Sequence, residues 1–319
     1  MIALHFNLQL VQFFADHRNP FLTRLFTVAG FFGTADFYFL VTILLYVVWD
    51  KRQAIRLSVL ILLTMTLNEV LKMLIGNPRP FVREGTYLKK WAVSPADARS
   101  LAAEYSTPSG HAMGSSAFYS YLFAVFKNPL VRAILVLAIV IIGVSRPYLG
   151  VHYVEDVLIG WAIGLTLTLC AVRYAGRISS LWARCAYGWQ IAIAAAASLL
   201  LCLVTVALHG GRIDGEVRDL AIFCGLLTGV LIARPLERRL VNFDPRSLGP
   251  GAKVLRYVLT VTMTVVVLFA LKDAFRFLAD GENALGCALD YIRYAASNVV
   301  AMFLGPLVFC RLKLAKRVS

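Results

Sequence analysis

Nine stretches of this chain carry apolar residues over most of the length that a helix needs to cross a bilayer, about 20 residues. They run at about Phe31 to Trp49, Ala54 to Ile75, His111 to Phe126, Ala133 to Val144, Tyr153 to Val172, Gly188 to Leu208, Asp219 to Ile232, Val254 to Leu271 and Gly286 to Phe309. The runs therefore predict an all-α fold, a polytopic transmembrane helical bundle of about nine spans. The third and fourth runs are short and are expected to extend into their flanking loops. Ahead of the first, "NLQLVQFFADHRNPFLTRLF" alternates apolar and charged positions as an N-terminal interfacial helix does. It lacks a basic start followed by a small-residue cleavage site, so it does not read as a removable signal peptide.

A net charge of +14 raises the question of a nucleic-acid partner. Nine spans divide the loops into two sets, and one set holds 18 of the 32 basic residues against 3 of the 18 acidic ones. That asymmetry is the one expected of a cytoplasmic side. The basic residues are scattered over short loops with no aromatic-studded groove, which excludes nucleic acid as a partner. The six cysteines show no paired metal spacing and lie mostly within apolar runs, as small packing residues.

Three polar segments converge on the opposite, less basic face. "KMLIGNPRP" carries Lys72, Arg79 and Pro80; "PSGH" runs from Pro108 to His111; "SRPYLGVHYVED" carries Ser145, Arg146, Pro147, His152 and Asp156. Singly each has an ordinary explanation: a lysine at a span end snorkels, and a serine before a helix caps it. Together they supply what a phosphate monoester requires. Lys72, Arg79 and Arg146 are three cationic donors, and the arginines can pair bidentately with phosphate oxygens. Ser109 adds a hydroxyl, and the N–H groups of Gly110 and His111 open a helix whose dipole favours an anion. Pro80 and Pro147 are expected to stiffen the turns that aim the arginines. His152 and Asp156, four apart at a helix start, share a face, so the carboxylate can hold one imidazole nitrogen and leave the other free to attack phosphorus. His111 across the phosphate would protonate the leaving oxygen. Glu69, one turn before Lys72, reads as its structural partner.

These residues resemble the type 2 phosphatidic acid phosphatases, also called lipid phosphate phosphatases, whose fold is shared with vanadium-dependent haloperoxidases. Lys72 to Pro80, Pro108 to His111 and Ser145 to Asp156 match all three segments of that family's signature, in order. The resemblance covers about Phe31 to Arg173. It implies a metal-independent, cofactor-free reaction through a phosphohistidine at His152, with His111 as general acid, Asp156 orienting the nucleophile, and Lys72, Arg79, Ser109, Gly110 and Arg146 binding the phosphate. It also implies a lipid phosphate or diphosphate substrate: undecaprenyl diphosphate, phosphatidate, phosphatidylglycerophosphate, a sphingoid-base phosphate and the 1-phosphate of lipid A all fit. The expected setting is a bacterial inner membrane, with the site facing the periplasm or cell exterior.

Residues 1–173 then form the interfacial helix and a five-span catalytic core, and residues 174–319 four additional spans. The added spans suit a homo-oligomer interface or a wall of the substrate cavity; alternatively Lys272, Asp273, Arg276, Asp290 and Arg293 form a second headgroup site. In "LKKWAVSPADARSLAAEYS", Trp91 and two lysines precede a short helix capped by Ser94, with Pro95 first and Asp97 completing a capping box. That segment is either a lid over the site or a passive loop. Two rival functions remain open: a lipid phosphotransferase using the same phosphohistidine, and a lipid transporter, which has no need of His111, His152 and Asp156.

Overall fold

The apolar runs fold as helices, and among the described residues there is no sheet. A computed structural model of the chain describes residues 6–84, 101–208, 210–279 and 283–318. The expected cap and lid residues Trp91, Ser94, Pro95 and Asp97 lie outside them.

The N-terminal segment forms two helices, α1 (Gln9–Asp16) and α2 (Pro20–Phe31). Asn19 starts α2, its side chain accepting from the Leu22 N–H, and Pro20 takes the first helical position where no N–H is needed. After the turn at Phe32 comes α3 (Ala35–Val48), bent 52° from α2. With 14 residues α3 is about 21 Å long, short of a bilayer core, and only together with α2 is it long and apolar enough for one crossing. Then follow α4 (Lys51–Ile75), the short α5 (Pro80–Glu84), α6 (Gly110–Val125), α7 (Pro129–Leu149) and α8 (Val154–Trp182). The remaining elements are α9 (Tyr187–Leu208), α10 (Gly215–Leu240), α11 (Pro250–Arg276) and α12 (Ala284–Val299), which runs through a π-helical stretch, Val300–Leu304, into α13 (Gly305–Arg311). Among the described residues seven helical segments are long and apolar enough to cross a membrane, eight with the bent pair. The 16-residue α6 is the short third run of the sequence. The chain is an integral membrane protein.

The helices group into two compact units. The first comprises Met1–Tyr38 and Thr64–Tyr174, the second Phe39–Leu63 and Ala175–Ser319. In the first unit α6 is buried on almost every side, with Ala112, Met113, Ala117 and Phe118 closed to solvent. Small residues let its neighbours approach. A Cβ on Gly164 of α8 would lie 2.3 Å from the Met113 carbonyl, and one on Gly160 2.9 Å from the Ser109 carbonyl. This pair, four residues apart, is the close-approach seam of membrane helices. Tyr38 stacks on Phe118 with ring centroids 4.6 Å apart, and Phe26 of α2 meets Tyr148 of α7 at 4.6 Å. Arg18 donates to the Tyr148 carbonyl, tying the N-terminus to α7.

In the second unit Tyr46, Val47, Ala233, Ala301, Phe243 and Phe309 form the core. Gly225 and Gly229 of α10 sit against the carbonyls of Tyr291 and Ala295 in α12, repeating the small-residue seam. Tyr46 donates to the Met302 carbonyl within the π-helical stretch, and the fully buried Arg256 donates to the carbonyls of Asp244, Pro245 and Ser247. Of the five residues considered for a second headgroup site, Asp290 and Arg293 are buried and paired at 2.7 Å, with Arg218 joining Asp290 from α10. Lys272, Asp273 and Arg276 are exposed and take no part in that cluster.

The α6–α8 seam leaves no room for a side chain, and overpacking of this kind costs about 1 to 3 kcal/mol. Gly164→Ala is therefore expected to lower the unfolding temperature in detergent by several degrees, whereas Gly176→Ala, with nothing within 4 Å of its Cβ, leaves it unchanged or higher; thermal unfolding followed by size exclusion checks both.

Candidate active site

The site grows from the ends of four elements in the first unit. α4 delivers Lys72 in its last turn, and the chain leaves that helix through Gly76, whose φ of +64° is the left-handed conformation that glycine takes without strain. Arg79 follows directly, ahead of Pro80 at the first position of α5. Lys72 lies 3.3 Å from both carboxylate oxygens of Glu69, as its i,i+3 position leads one to expect, and 3.6 Å from Glu104. Arg79 is almost wholly buried, and both terminal nitrogens of its guanidinium are engaged: Nη2 donates to Glu104 Oε2 at 2.7 Å, while Nη1 lies 3.1 Å from the Val151 carbonyl and 3.2 Å from His152 Nε2.

Ser109 is the N-cap of α6, and its hydroxyl is a distant 3.5 Å from the Ala112 N–H. Gly110 is required here by packing, because a Cβ would meet the Asn68 side-chain oxygen at 2.9 Å. Asn68 in turn donates to the Pro108 carbonyl, pinning this turn to α4. The His111 imidazole is half-buried and takes no hydrogen-bond partner among the described residues; Gly33, in the turn between α2 and α3, packs against its ring. Arg146, His152, Arg79 and Lys72 all lie near enough to act on it electrostatically.

Arg146 and Pro147 belong to the last turn of α7 and not to the turn that follows. That turn is made by Gly150, at φ +79°, which closes the helix by donating to the Pro147 carbonyl. Ser145 orients Arg146 by accepting from its Nε at 3.0 Å, and Gly30 of α2 leaves the space the guanidinium fills, since a Cβ there would lie 2.5 Å from Nη2.

His152 precedes α8 and Asp156 lies in its first turn, both closed to solvent. The Asp156 carboxylate accepts from the Ser106 hydroxyl, the Thr107 hydroxyl and the Tyr153 N–H, with His152 Nδ1 at 3.4 Å. Because Ser106 gives its proton to Asp156, its oxygen can only accept from His152 Nδ1, 3.3 Å away. Both neighbours of Nδ1 are thus acceptors, which puts the proton there and the lone pair on Nε2. Burial, with the charge of Arg79 beside it, pulls the His152 pKa down to about 4 against the opposing pull of Asp156. Burial would raise the Glu104 carboxyl, but Lys72 and Arg79 hold it below the usual carboxylate range.

All eight residues expected from the sequence (Lys72, Arg79, Ser109, Gly110, His111, Arg146, His152 and Asp156) belong to this unit. Residues 53–180 match the model of the PAP2 superfamily, and residues 221–317 match that of the PAP2 superfamily phosphatase transmembrane extension. The chain belongs to the PAP2 superfamily. Phosphatidylglycerophosphatase B of Bacillus subtilis is 40% identical over 72 residues, 20% of this chain and 36% of that protein. Undecaprenyl-diphosphatase of Sulfolobus acidocaldarius is 29% identical over 171 residues, 53% of this chain and 78% of the relative. Sphingosine-1-phosphate phosphatase 2 of Mus musculus is 28% identical over 165 residues, 49% of this chain and 43% of that protein. Among solved structures, Aquifex aeolicus LpxE superposes with a TM-score of 0.45 at 27% identity, over 53% of this chain and 95% of that one. The second family match extends from within α10 to beyond α13 and does not include α9.

Three contributors to this PAP2 site, Glu104, Ser106 and Thr107, lie outside the three motifs, and a fourth, Asn77, lies inside the first at a position to which the sequence reading gave no role. Asn77 donates to the Thr107 hydroxyl at 3.0 Å and its carbonyl accepts the Ser106 N–H at 2.8 Å, so the segment before Pro108 is tied to the end of α4. The sequence signal was the pair of hydroxyl residues immediately before the motif proline. Thr107→Val removes one donor from a buried carboxylate and leaves the Asn77 amide without its acceptor, which costs about 1 to 3 kcal/mol; chemical or thermal unfolding in detergent is expected to show that loss, and Thr107→Ser to recover most of it.

Proposed function

We propose that the chain is a membrane lipid phosphatase that removes a terminal phosphate from a lipid phosphate or diphosphate at the non-cytoplasmic surface, through a phosphohistidine on His152. The observation that carries this reading is the proton arrangement around His152: two acceptors on Nδ1 and a lone pair on Nε2, aimed at the guanidinium of Arg79. A phosphate drawn to Arg79, Lys72 and Arg146 meets that lone pair directly, and Ser109 and the α6 N-terminus offer further donors. Nε2 attacks phosphorus, the bond from phosphorus to the lipid oxygen breaks, and His111 protonates that oxygen as it leaves. In the second half His111 takes a proton from water, whose oxygen attacks phosphorus, breaks the P–N bond and regenerates His152. The reading is metal-independent: the cations that would hold the phosphate would repel a metal ion from the same place. By their names the relatives act on phosphatidylglycerophosphate, undecaprenyl diphosphate and sphingosine 1-phosphate. These share a phosphate at a lipid headgroup, and phosphatidate and the 1-phosphate of lipid A share it too. The basic loops would face the cytoplasm and the site the opposite side, the periplasm or cell exterior of a bacterial inner membrane.

The test is phosphate release by purified protein in detergent with chelator present, from that lipid panel, for wild type and His152→Ala. Release that persists in chelator and vanishes in the variant is expected; full activity without His152 would overturn the phosphohistidine. The free-enzyme acidity adds a second expectation. A His152 pKa near 4 keeps the nucleophile unprotonated above that value, so the acid limb of kcat/KM falls well below the ordinary histidine range near 6.5 and is lost only as pH drops through about 4.

A further inference from the structure

One carboxylate stands on the very cations assigned to the phosphate. Glu104 Oε2 lies 2.7 Å from Arg79 Nη2 and 3.6 Å from Lys72 Nζ. It is not the structural partner of either, because each cation has other company: Lys72 has Glu69, and Arg79 has the Val151 carbonyl and His152 Nε2. Nor is Glu104 locked in place. Its side chain is 34% exposed, against 7% for Glu69, and it comes from the segment between α5 and α6, outside any long helix. A bridging carboxylate on a guanidinium and an ammonium is the arrangement that a phosphate oxygen pair would also seek.

We propose that Glu104 is an internal anion that occupies the phosphate-binding cations of the resting site and exchanges with the substrate phosphate. This inference rests on the phosphatase reading. The exchange has two consequences. A phosphate that takes over Nη2 and draws Arg79 toward itself also takes the guanidinium from His152 Nε2, so the nucleophile is released by the group it attacks. When inorganic phosphate is the product, Glu104 returns to the same cations and opposes its rebinding. Glu104 would thereby set the affinity for free phosphate, and it would discriminate against weak monoanions that cannot displace a carboxylate. A purely structural Glu104 predicts the opposite sign. If its role were to hold Arg79 and Lys72 in position, removing it would weaken every anion.

The experiment is titration of inorganic phosphate into the full-length protein in detergent, by calorimetry and as a product inhibitor of lipid phosphate hydrolysis, for wild type, Glu104→Gln and Glu104→Ala. Both variants are expected to bind phosphate about tenfold more tightly than wild type, the size of one charge-assisted hydrogen-bond exchange. KM for the lipid should fall with it, and kcat should fall because phosphate leaves more slowly. Unchanged or weaker phosphate binding in both variants, with the proteins monodisperse on size exclusion, would overturn the exchange. Failure of all three proteins to bind phosphate, together with absence of lipid turnover by wild type, would instead overturn the phosphatase reading beneath it.

Discussion

The buried carboxylate of Asp156 is the constraint from which the rest of the site follows. A carboxylate closed to water must have its lone pairs satisfied or it becomes prohibitively expensive. Here the satisfaction comes from three places in the chain: the Ser106 and Thr107 hydroxyls ahead of α6, the Tyr153 N–H, and His152 Nδ1. The Asp156 backbone carbonyl takes a fifth donor, the Ser109 N–H. One residue therefore fixes the imidazole, the entry to α6 and the loop before it. Through Thr107 and Asn77 the same network reaches the end of α4, from which Lys72 and Arg79 project.

Membrane packing and site geometry are coupled at one contact. Gly160, one turn beyond Asp156 on α8, lies against the Ser109 carbonyl and the Met113 N–H, and Gly164 continues that seam along α6. A larger residue at Gly160 would push the first turn of α6 away from α8, and the Asp156 carbonyl would lose Ser109. The donors at the α6 N-terminus are thus held in place by the packing of α6 against α8. Such preorganisation suits the proposed phosphoryl chemistry, because donors fixed by packing need no reorganisation as charge develops.

Residues whose chemistry announces itself were legible in the sequence. Three cations, a Ser-Gly-His turn at the start of an apolar run, and a histidine and aspartate four apart defined the site, and apolar runs of bilayer length defined the fold. What was not legible depends on contacts between distant segments. Ser106 and Thr107 look like ordinary loop hydroxyls until Asp156, about fifty residues away, is placed beside them. Gly30 near the end of α2 and Gly33 in the turn after it carry no signal in the sequence, yet their missing side chains make room for Arg146 and His111. Pro147 suggested a turn, but the helix continues through it and Gly150 makes the turn instead. A proline near a helix C-terminus removes only one backbone donor, and tertiary packing of Tyr148 against Phe26 and Arg18 outweighs that loss.

Burial also sorts the two carboxylates that face Lys72. Glu69 comes from the same helix, one turn back, and is nearly closed to solvent, so separating it from the ammonium would cost a buried carboxylate the cation that compensates it. Glu104 comes from the segment outside the helices and keeps about a third of its side chain in water. For that carboxylate, water can replace what the cations withdraw, and the cost of parting is small. Lys72 therefore carries one permanent partner that fixes its position and one exchangeable partner that marks where an incoming anion would sit. Arg79 shows the same division, with the Val151 carbonyl as its buried anchor and Glu104 as its solvent-facing contact. A cationic site that must be both rigid and vacatable needs these two kinds of partner, and their difference in solvent access is enough to provide them.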